Sequence, residues 1–400
     1  MKKIIVVIIL ALIFAMVMIG DAGTNNAKGV TSENTKNIIL GFSDKIPSDI
    51  HKKVKAHGAS VVSKNDELNF VVVDPKGRNK AELMAEMSEF ANISYVEEDY
   101  IATAFLDPND PGYLSQWGPN DIFAPLAWDI TLGSPNVIVA IVDTGVDYKH
   151  PDISGNYYVG GYDFINNDAD PMDDNGHGTH VAGIVAAVTN NGIGVAGITQ
   201  SKIMAEKVLN ASGSGSYSAV AMGITHAANN GAKVISMSFG GNSSSKTLEK
   251  AVNYAWKKGV LIVASAGNGY GGTISYPAAY SNVIAVSALN PDDSFAIYSN
   301  HGKKIELSAP GTSIYSTYLG GGYISLSGTS MATPFVSGSA ALVWSKNSRL
   351  TNKKVRDILD NSAVDLGARG RDVYFGYGKV NPYGALQQTK LPKEEEIIKQ

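Results

Sequence analysis

Three short runs constrain this chain more than any other feature: Val137-Ile138-Val139-Ala140-Ile141-Val142, Val234-Ile235-Ser236-Met237 and Val260-Leu261-Ile262-Val263. Each is apolar and β-branched without polar alternation, the pattern of a strand covered on both faces. Helical spacing governs the segments between them, Ala219 to Ala228 and Leu248 to Lys257. Strands alternating with helices predict βαβ units, hence an α/β fold with a mainly parallel sheet flanked by helices. The functional site of such a sheet lies beyond the carboxyl ends of its strands.

Before Leu106 the texture differs. Ile38-Ile39-Leu40 and Phe70-Val71-Val72-Val73 read as strands, Asp49 to Val54 and Ala81 to Met87 as helices, and Ser94 to Asp99 closes a short α+β unit, marginal as an independent fold. Thr24 to Asn37 is small and polar, a linker. Met1-Lys2-Lys3 followed by the apolar run Ile4 to Ile19 and the small residues at Gly20-Asp21-Ala22 has the form of a secretory signal. An uncleaved membrane anchor is the alternative for a run of this length. The chain has no cysteine, so an exported fold would depend on its core or on bound ions instead of disulfides. A formal charge of -4 shows no basic excess that would suit a nucleic-acid partner.

Asp143 stands where the Val137 run ends, His177 lies in Asn175-Gly176-His177-Gly178-Thr179-His180-Val181-Ala182-Gly183, and Ser330 lies in Gly328-Thr329-Ser330-Met331-Ala332-Thr333-Pro334 ahead of an apolar helix, Met331 to Trp344. Each has a structural explanation by itself: an aspartate capping a turn, a core histidine, a helix N-cap serine. Together they make up what Ser/His/Asp chemistry needs: a hydroxyl nucleophile, an imidazole to take its proton, and a carboxylate to orient the imidazole.

These three segments resemble the active-site motifs of the subtilisin-like serine proteases (subtilases), the thermitase group in particular, in that family's chain order of Asp, His, Ser. The resemblance covers nearly all of Leu106 to Gln387. It implies a subtilisin-like peptidase domain over 106–388, preceded by a signal over 1–22, a linker over 23–36 and a ferredoxin-like inhibitory propeptide over 37–105, cut off near Ala104 to Leu106. A charged tail follows over 389–400. Ser330 would be the nucleophile, His177 the general base and then acid, Asp143 the orienting carboxylate, and His180 a structural ring. Asn268, in Ala264-Ser265-Ala266-Gly267-Asn268-Gly269, would share the oxyanion hole with the Ser330 N–H. The partners implied are protein and peptide substrates, bound as an added strand, and the chain's own propeptide as inhibitor. Ser238-Phe239-Gly240 and Ala264-Ser265-Ala266-Gly267 would wall the pocket for the residue before the scissile bond, with Gly213-Ser214-Gly215 and Tyr217 as the opposing edge. The expected form is a secreted monomer with no stable membrane association once the signal is removed.

Asp163, Asp168, Asp170, Asp173 and Asp174 cluster before His177, a spacing that suits calcium or a solvated turn. The resemblance implies calcium in this loop, although Asn166 and Met172 depart from the thermitase pattern. It also implies a second calcium site, with ligands from Asp110, Asp152, the Asn191 side chain and the carbonyls of Val188, Ile193 and Val195. Phe335 stands where many relatives carry histidine, which implies altered packing. Gly192, Gly194 and Gly197 fit a dinucleotide-binding spacing, but they follow a helix and lack the acidic residue that such a site needs. His177 and His180 lack the spacing and the further ligands of a zinc site. A catalytically inert peptide-binding relative is the remaining alternative; every triad and oxyanion position is filled.

Overall fold

Alternate residues Ile38, Leu40 and Phe42 are buried along β1 (Asn34–Phe42), where they meet α1 (Ile50–Ala56) in the core of a small N-terminal unit. The unit continues with β2 (Ser60–Asn65), β3 (Phe70–Asp74), α2 (Lys80–Ser88) and β4 (Ile93–Tyr100). Its antiparallel strand order is β2-β3-β1-β4, the ferredoxin-like arrangement expected from the sequence. β1 begins at Asn34, inside the segment read as linker. The computed structural model describes residues 34–100 and 107–390, which fall into two compact units. The expected signal, the cleavage region around 104–106 and most of the tail lie outside the described residues. At the described start of that tail Thr389 is buried, and the exposed Lys390 accepts a hydrogen bond from Asn347 through its carbonyl.

The second unit opens with the short helices α3 (Trp117–Asp121) and α4 (Ala124–Trp128). Seven strands then form one sheet: β5 (Ile138–Asp143), β6 (Tyr162–Asp163), β7 (Lys202–Lys207), β8 (Val234–Met237), β9 (Leu261–Ser265), β10 (Ile284–Leu289) and β11 (Ile305–Pro310). Every pairing in it is parallel, beyond the mainly parallel expectation; the antiparallel β12 (Ile314–Tyr318) and β13 (Gly322–Leu326) form a separate hairpin. Side chains alternate between two cores: Val139 and Ile141 of β5 face one, Ala140 and Val142 the other. The first core is closed by α5 (His177–Ala186), α8 (Thr329–Lys346), α9 (Asn352–Ser362) and α10 (Pro382–Gln388), and the second by α6 (Tyr217–Asn229) and α7 (Lys246–Lys257).

The strand order is β11-β10-β9-β8-β5-β7-β6. From β5 the chain builds one side through β6 and β7, then crosses to β8 on the other. β5 is therefore the topological switch point, and the crevice at its carboxyl end is where such sheets bind ligands. Asp143 is its last residue. Among the described residues no helix is long and apolar enough to cross a membrane.

Candidate active site

Asp143 is fully buried, and its Oδ1 accepts the Thr144 N–H at 2.8 Å. The helix facing it is held by an acidic cap. Asp173 Oδ1 accepts the N–H groups of Asn175 and Gly176 at 3.0 Å, while Oδ2 accepts the Thr179 N–H at 2.9 Å and the Thr179 hydroxyl at 2.6 Å. A carboxylate at this end of a helix satisfies unpaired backbone donors and meets the favourable end of the dipole. His177, the first residue of α5, places Nδ1 2.7 Å from Asp143 Oδ1. Burial pulls the His177 pKa down, but the charge of Asp143, its hydrogen bond and the charge of Asp173 outweigh that and raise it above the ordinary histidine value.

His180 is fully buried, its Nε2 lies 3.0 Å from the Ile314 carbonyl and 3.2 Å from that of Ile324, and burial lowers its pKa to about 4. It ties α5 to the β12–β13 hairpin, as a structural ring should.

Ser330 is the second residue of α8, and Gly328 holds the N-cap position, so Ser330 is not the cap. Its hydroxyl donates to the Ser238 carbonyl at 2.7 Å, and the Ser238 hydroxyl donates to the Ser330 carbonyl at 2.8 Å. In this rotamer the hydroxyl is turned to the end of β8 rather than to His177. Asn268 follows Gly267, whose φ of 105° belongs to the left-handed region. Asn268 Oδ1 accepts both the N–H and the hydroxyl of Thr329 at 2.9 Å, and its amide nitrogen, beside Gly328, has no acceptor among the described residues. Asn300 fixes this loop from behind: Oδ1 accepts the Gly269 N–H at 2.8 Å, and Nδ2 donates to the carbonyls of Ala266 and Thr273.

Ser330 and Asn268 open onto a cavity of about 310 Å³. Of the expected wall, Phe239, Gly240, Ser265 and Gly267 line it; Ser238, Ala264 and Ala266 are buried and do not. Asn242, Ser275 and Asn300 also line it and carried no local signal in the sequence, because their places are set by distant loops. Gly213, Ser214, Gly215 and Tyr217 do not enter the cavity. Their segment is tied to the His177 loop by Asn175 Nδ2 on the Ala211 carbonyl at 2.9 Å, and Tyr217 hydrogen-bonds the Ser243 carbonyl at 2.9 Å. Phe335 is buried against Gly118, a packing role in place of a titratable ring.

The aspartate cluster does not fit one cation as read. Asp173 is taken up by the α5 cap. Asp163 Oδ1 accepts the N–H groups of Ile165 and Asn166, and its Oδ2 accepts the Asn166 amide. Asp168 caps Asp170 N–H, Asp170 accepts the Tyr148 hydroxyl, and Asp174 pairs with Lys207. Each carboxylate therefore has its own partners: a local turn for Asp163 and Asp168, the helix start for Asp173, the Tyr148 hydroxyl for Asp170 and the Lys207 ammonium for Asp174. The other site fits better: Asp110 and Asp152 are buried against the 188–195 loop, accepting from Asn190 and Asn191 and from Asn191 and Val195 respectively. Burial and the neighbouring Asp110 charge raise the Asp152 pKa, against hydrogen bonds from Val195 and Asn191. Two buried like charges facing one loop suit a hard divalent cation. Among the described residues no three His, Cys, Asp or Glu side chains converge, so an ion here would need the amide and carbonyl oxygens as well.

Residues 134–378 match the subtilase family of S8 peptidases. The chain is 42% identical over 352 residues to a thermophilic serine proteinase of Bacillus sp. strain AK1, covering 87% of this chain and 86% of that protein. It is 50% identical over 282 residues to thermitase of Thermoactinomyces vulgaris, covering 70% and 99%. The solved structure of sphericase superposes with a TM-score of 0.59 at 40% identity, covering 62% of this chain and 92% of that one. The parallel sheet with its switch point at Asp143, the histidine heading α5 and the serine heading α8 thus have a common origin: the chain belongs to the subtilase family and is a subtilisin-like serine protease.

Proposed function

We propose that the chain is the precursor of a secreted serine endopeptidase whose triad is Asp143, His177 and Ser330. The observation that carries this reading is the 2.7 Å contact of His177 with Asp143 at the switch point, and a cavity onto which Ser330 and Asn268 open adds to it. Rotation of the Ser330 hydroxyl from the Ser238 carbonyl towards His177 Nε2 prepares the attack. Nε2 takes the hydroxyl proton as Oγ bonds to the scissile carbonyl carbon, and Asp143 holds the resulting imidazolium. The oxyanion is met by the Asn268 amide and the Ser330 N–H. The imidazolium then protonates the leaving amine, and water, deprotonated by the same ring, releases the acyl group.

Substrate lies as an extended strand between the segments 238–242 and 213–217, with the side chain before the scissile bond in the cavity. The ferredoxin-like unit, 37–105, is the propeptide and acts as an intramolecular inhibitor until cut near Ala104 to Leu106. Secretion is supported by the form of the first 22 residues and by a relative from Natrialba magadii named as an extracellular serine protease, 38% identical. Calcium would be held by Asp110, Asp152, Asn191 and the carbonyls of Val188, Ile193 and Val195. It would neutralise two buried carboxylates and tie the start of the mature chain to the 188–195 loop. The mature enzyme is read as a monomer free of membrane.

Intact mass of the secreted product, wild type against Ser330→Ala, tests this. Loss of everything before about Leu106 in wild type, with retention in the variant, is the expected result. A wild type that stays uncleaved and does not react with a fluorophosphonate would overturn it in favour of an inert peptide binder.

A further inference from the structure

We propose that Lys207 is a positioning residue for the Asp143–His177 pair, a buried ammonium that cross-links the turn carrying Asp143 to the loop carrying His177. The proposal deepens the triad reading above and rests on it.

Lys207 ends β7 as Asp143 ends β5, and the two are register partners in the sheet. The side chain is 1% exposed. Burying an ammonium is costly unless all its donors are paired. An ammonium has three donors, and here each has a partner: the Thr144 carbonyl at 2.6 Å, the Leu209 carbonyl at 3.2 Å and Asp174 Oδ1 at 2.6 Å. Thr144 directly follows Asp143, and Asp174 lies three residues before His177. One side chain therefore joins the two segments whose relative placement sets the carboxylate–imidazole contact.

The backbone around it carries the same linkage. The Asp143 carbonyl accepts the N–H groups of Val208 and Leu209 at 2.9 and 3.1 Å, and Asn175 donates to Ala211. Thus β5, the His177 loop and residues 207–211 form one hydrogen-bonded junction with the ammonium at its centre. A methionine would occupy much the same volume and make none of these bonds. Asp174 is 49% exposed, so an ion pair with it gains little stability by itself, which points to placement as its use.

The test compares Lys207→Met, Lys207→Arg and Asp174→Asn in the secreted, processed enzyme, with rates normalised to sites labelled by a fluorophosphonate. For Lys207→Met, kcat per labelled site should fall on the order of 10- to 100-fold with KM changed less than about twofold, the signature of lost orientation. Lys207→Arg, which keeps charge and donors, should recover part of the loss. Asp174→Asn, at an exposed position, should lower the same parameter less, and the double variant should be no slower than Lys207→Met, since both remove one linkage. A Lys207→Met enzyme with lowered Tm but unchanged kcat per labelled site would overturn the proposal. If that variant does not mature, an unchanged kcat in Asp174→Asn overturns it. Failure of the wild type itself to label at Ser330 would instead remove the triad reading on which the proposal stands.

Discussion

Gly178 lies so close to the carbonyl oxygen of Gly145 that a Cβ at Gly178 would overlap it. That approach lets the first turn of α5 rest on the turn after Asp143, where the Gly178 N–H donates to Thr144 Oγ1 at 2.9 Å. Any side chain at 178 must push His177 away from Asp143. Gly178→Ala should lose on the order of 10²-fold in kcat, as small misplacements do. Steady-state kinetics on the processed enzyme checks this; a rate within threefold or so of wild type would contradict it.

His177 must be neutral to accept the serine proton, and burial is outweighed by the Asp143 and Asp173 charges, so its pKa is raised. Activity should therefore fall as pH drops through a value raised above that of an ordinary histidine. Asp143→Asn removes the strongest raising influence, so this acid limb should move to lower pH while kcat drops on the order of 10⁴-fold. The pH profile of kcat/KM reads both, and a limb that stays in place counts against His177 as the base.

Asn268→Ala should lower kcat on the order of 10²–10³-fold with little change in KM, because its amide acts on the developing oxyanion rather than the bound ground state. Asn300→Ala should reproduce a smaller part of the loss by loosening the 266–273 loop. A KM effect without a kcat effect would move Asn268 out of the oxyanion hole.

Chelation should lower the Tm of the mature enzyme. An ion bound only by the folded state adds about 2.7 kcal/mol at a hundredfold excess over its Kd. In Asp152→Asn the chelator effect should shrink sharply, whereas in Asp168→Asn it should persist, since Asp168 serves a local turn. Equal responses in both variants would disagree with this assignment, as would a Tm indifferent to chelator.

Asp360 lies with Glu306 and Arg356; burial first, then the Glu306 charge, push its carboxyl up to about 8 against the pull of Arg356. A raised folded-state pKa contributes stability that is complete below the unfolded value of 3.8 and is lost as pH rises through about 8. Asp360→Asn should therefore gain Tm over wild type progressively between those pH values and hold the gain above them. Thermal unfolding across pH measures it, and a difference independent of pH would refute the assignment.

Much of this was legible without coordinates. The uniformly apolar runs ending at Val142, Met237 and Val263 could be buried only as central parallel strands, and parallel strands require the intervening helices. Asp143, Ser238 and the Ala264 segment were therefore confined to one edge before any contact was known. β7 escaped notice because its sequence, Lys202 to Lys207, ends in two charged residues that are buried nonetheless. No local pattern reveals a buried Glu206 paired with His226, or a Lys207 paired across two loops.

The acidic cluster before His177 shows the limit most clearly. Composition groups Asp163, Asp168, Asp170 and Asp173 as though they shared an ion, yet Asp163 and Asp168 close local turns, Asp173 caps a helix and Asp170 accepts the Tyr148 hydroxyl. Spacing along a chain states only how far apart residues can be, whereas ligation needs oxygens converging on a point. The sequence by itself determined the fold class and the strand-end location of the site, and it named Asp143, His177 and Ser330 as the candidates for its chemistry, because periodicity and residue type are local properties. The tertiary structure alone decided which acidic groups face one another, which way the Ser330 hydroxyl points, and that Asn242, Ser275 and Asn300 shape the cavity. Those depend on distances between segments that lie far apart in the chain.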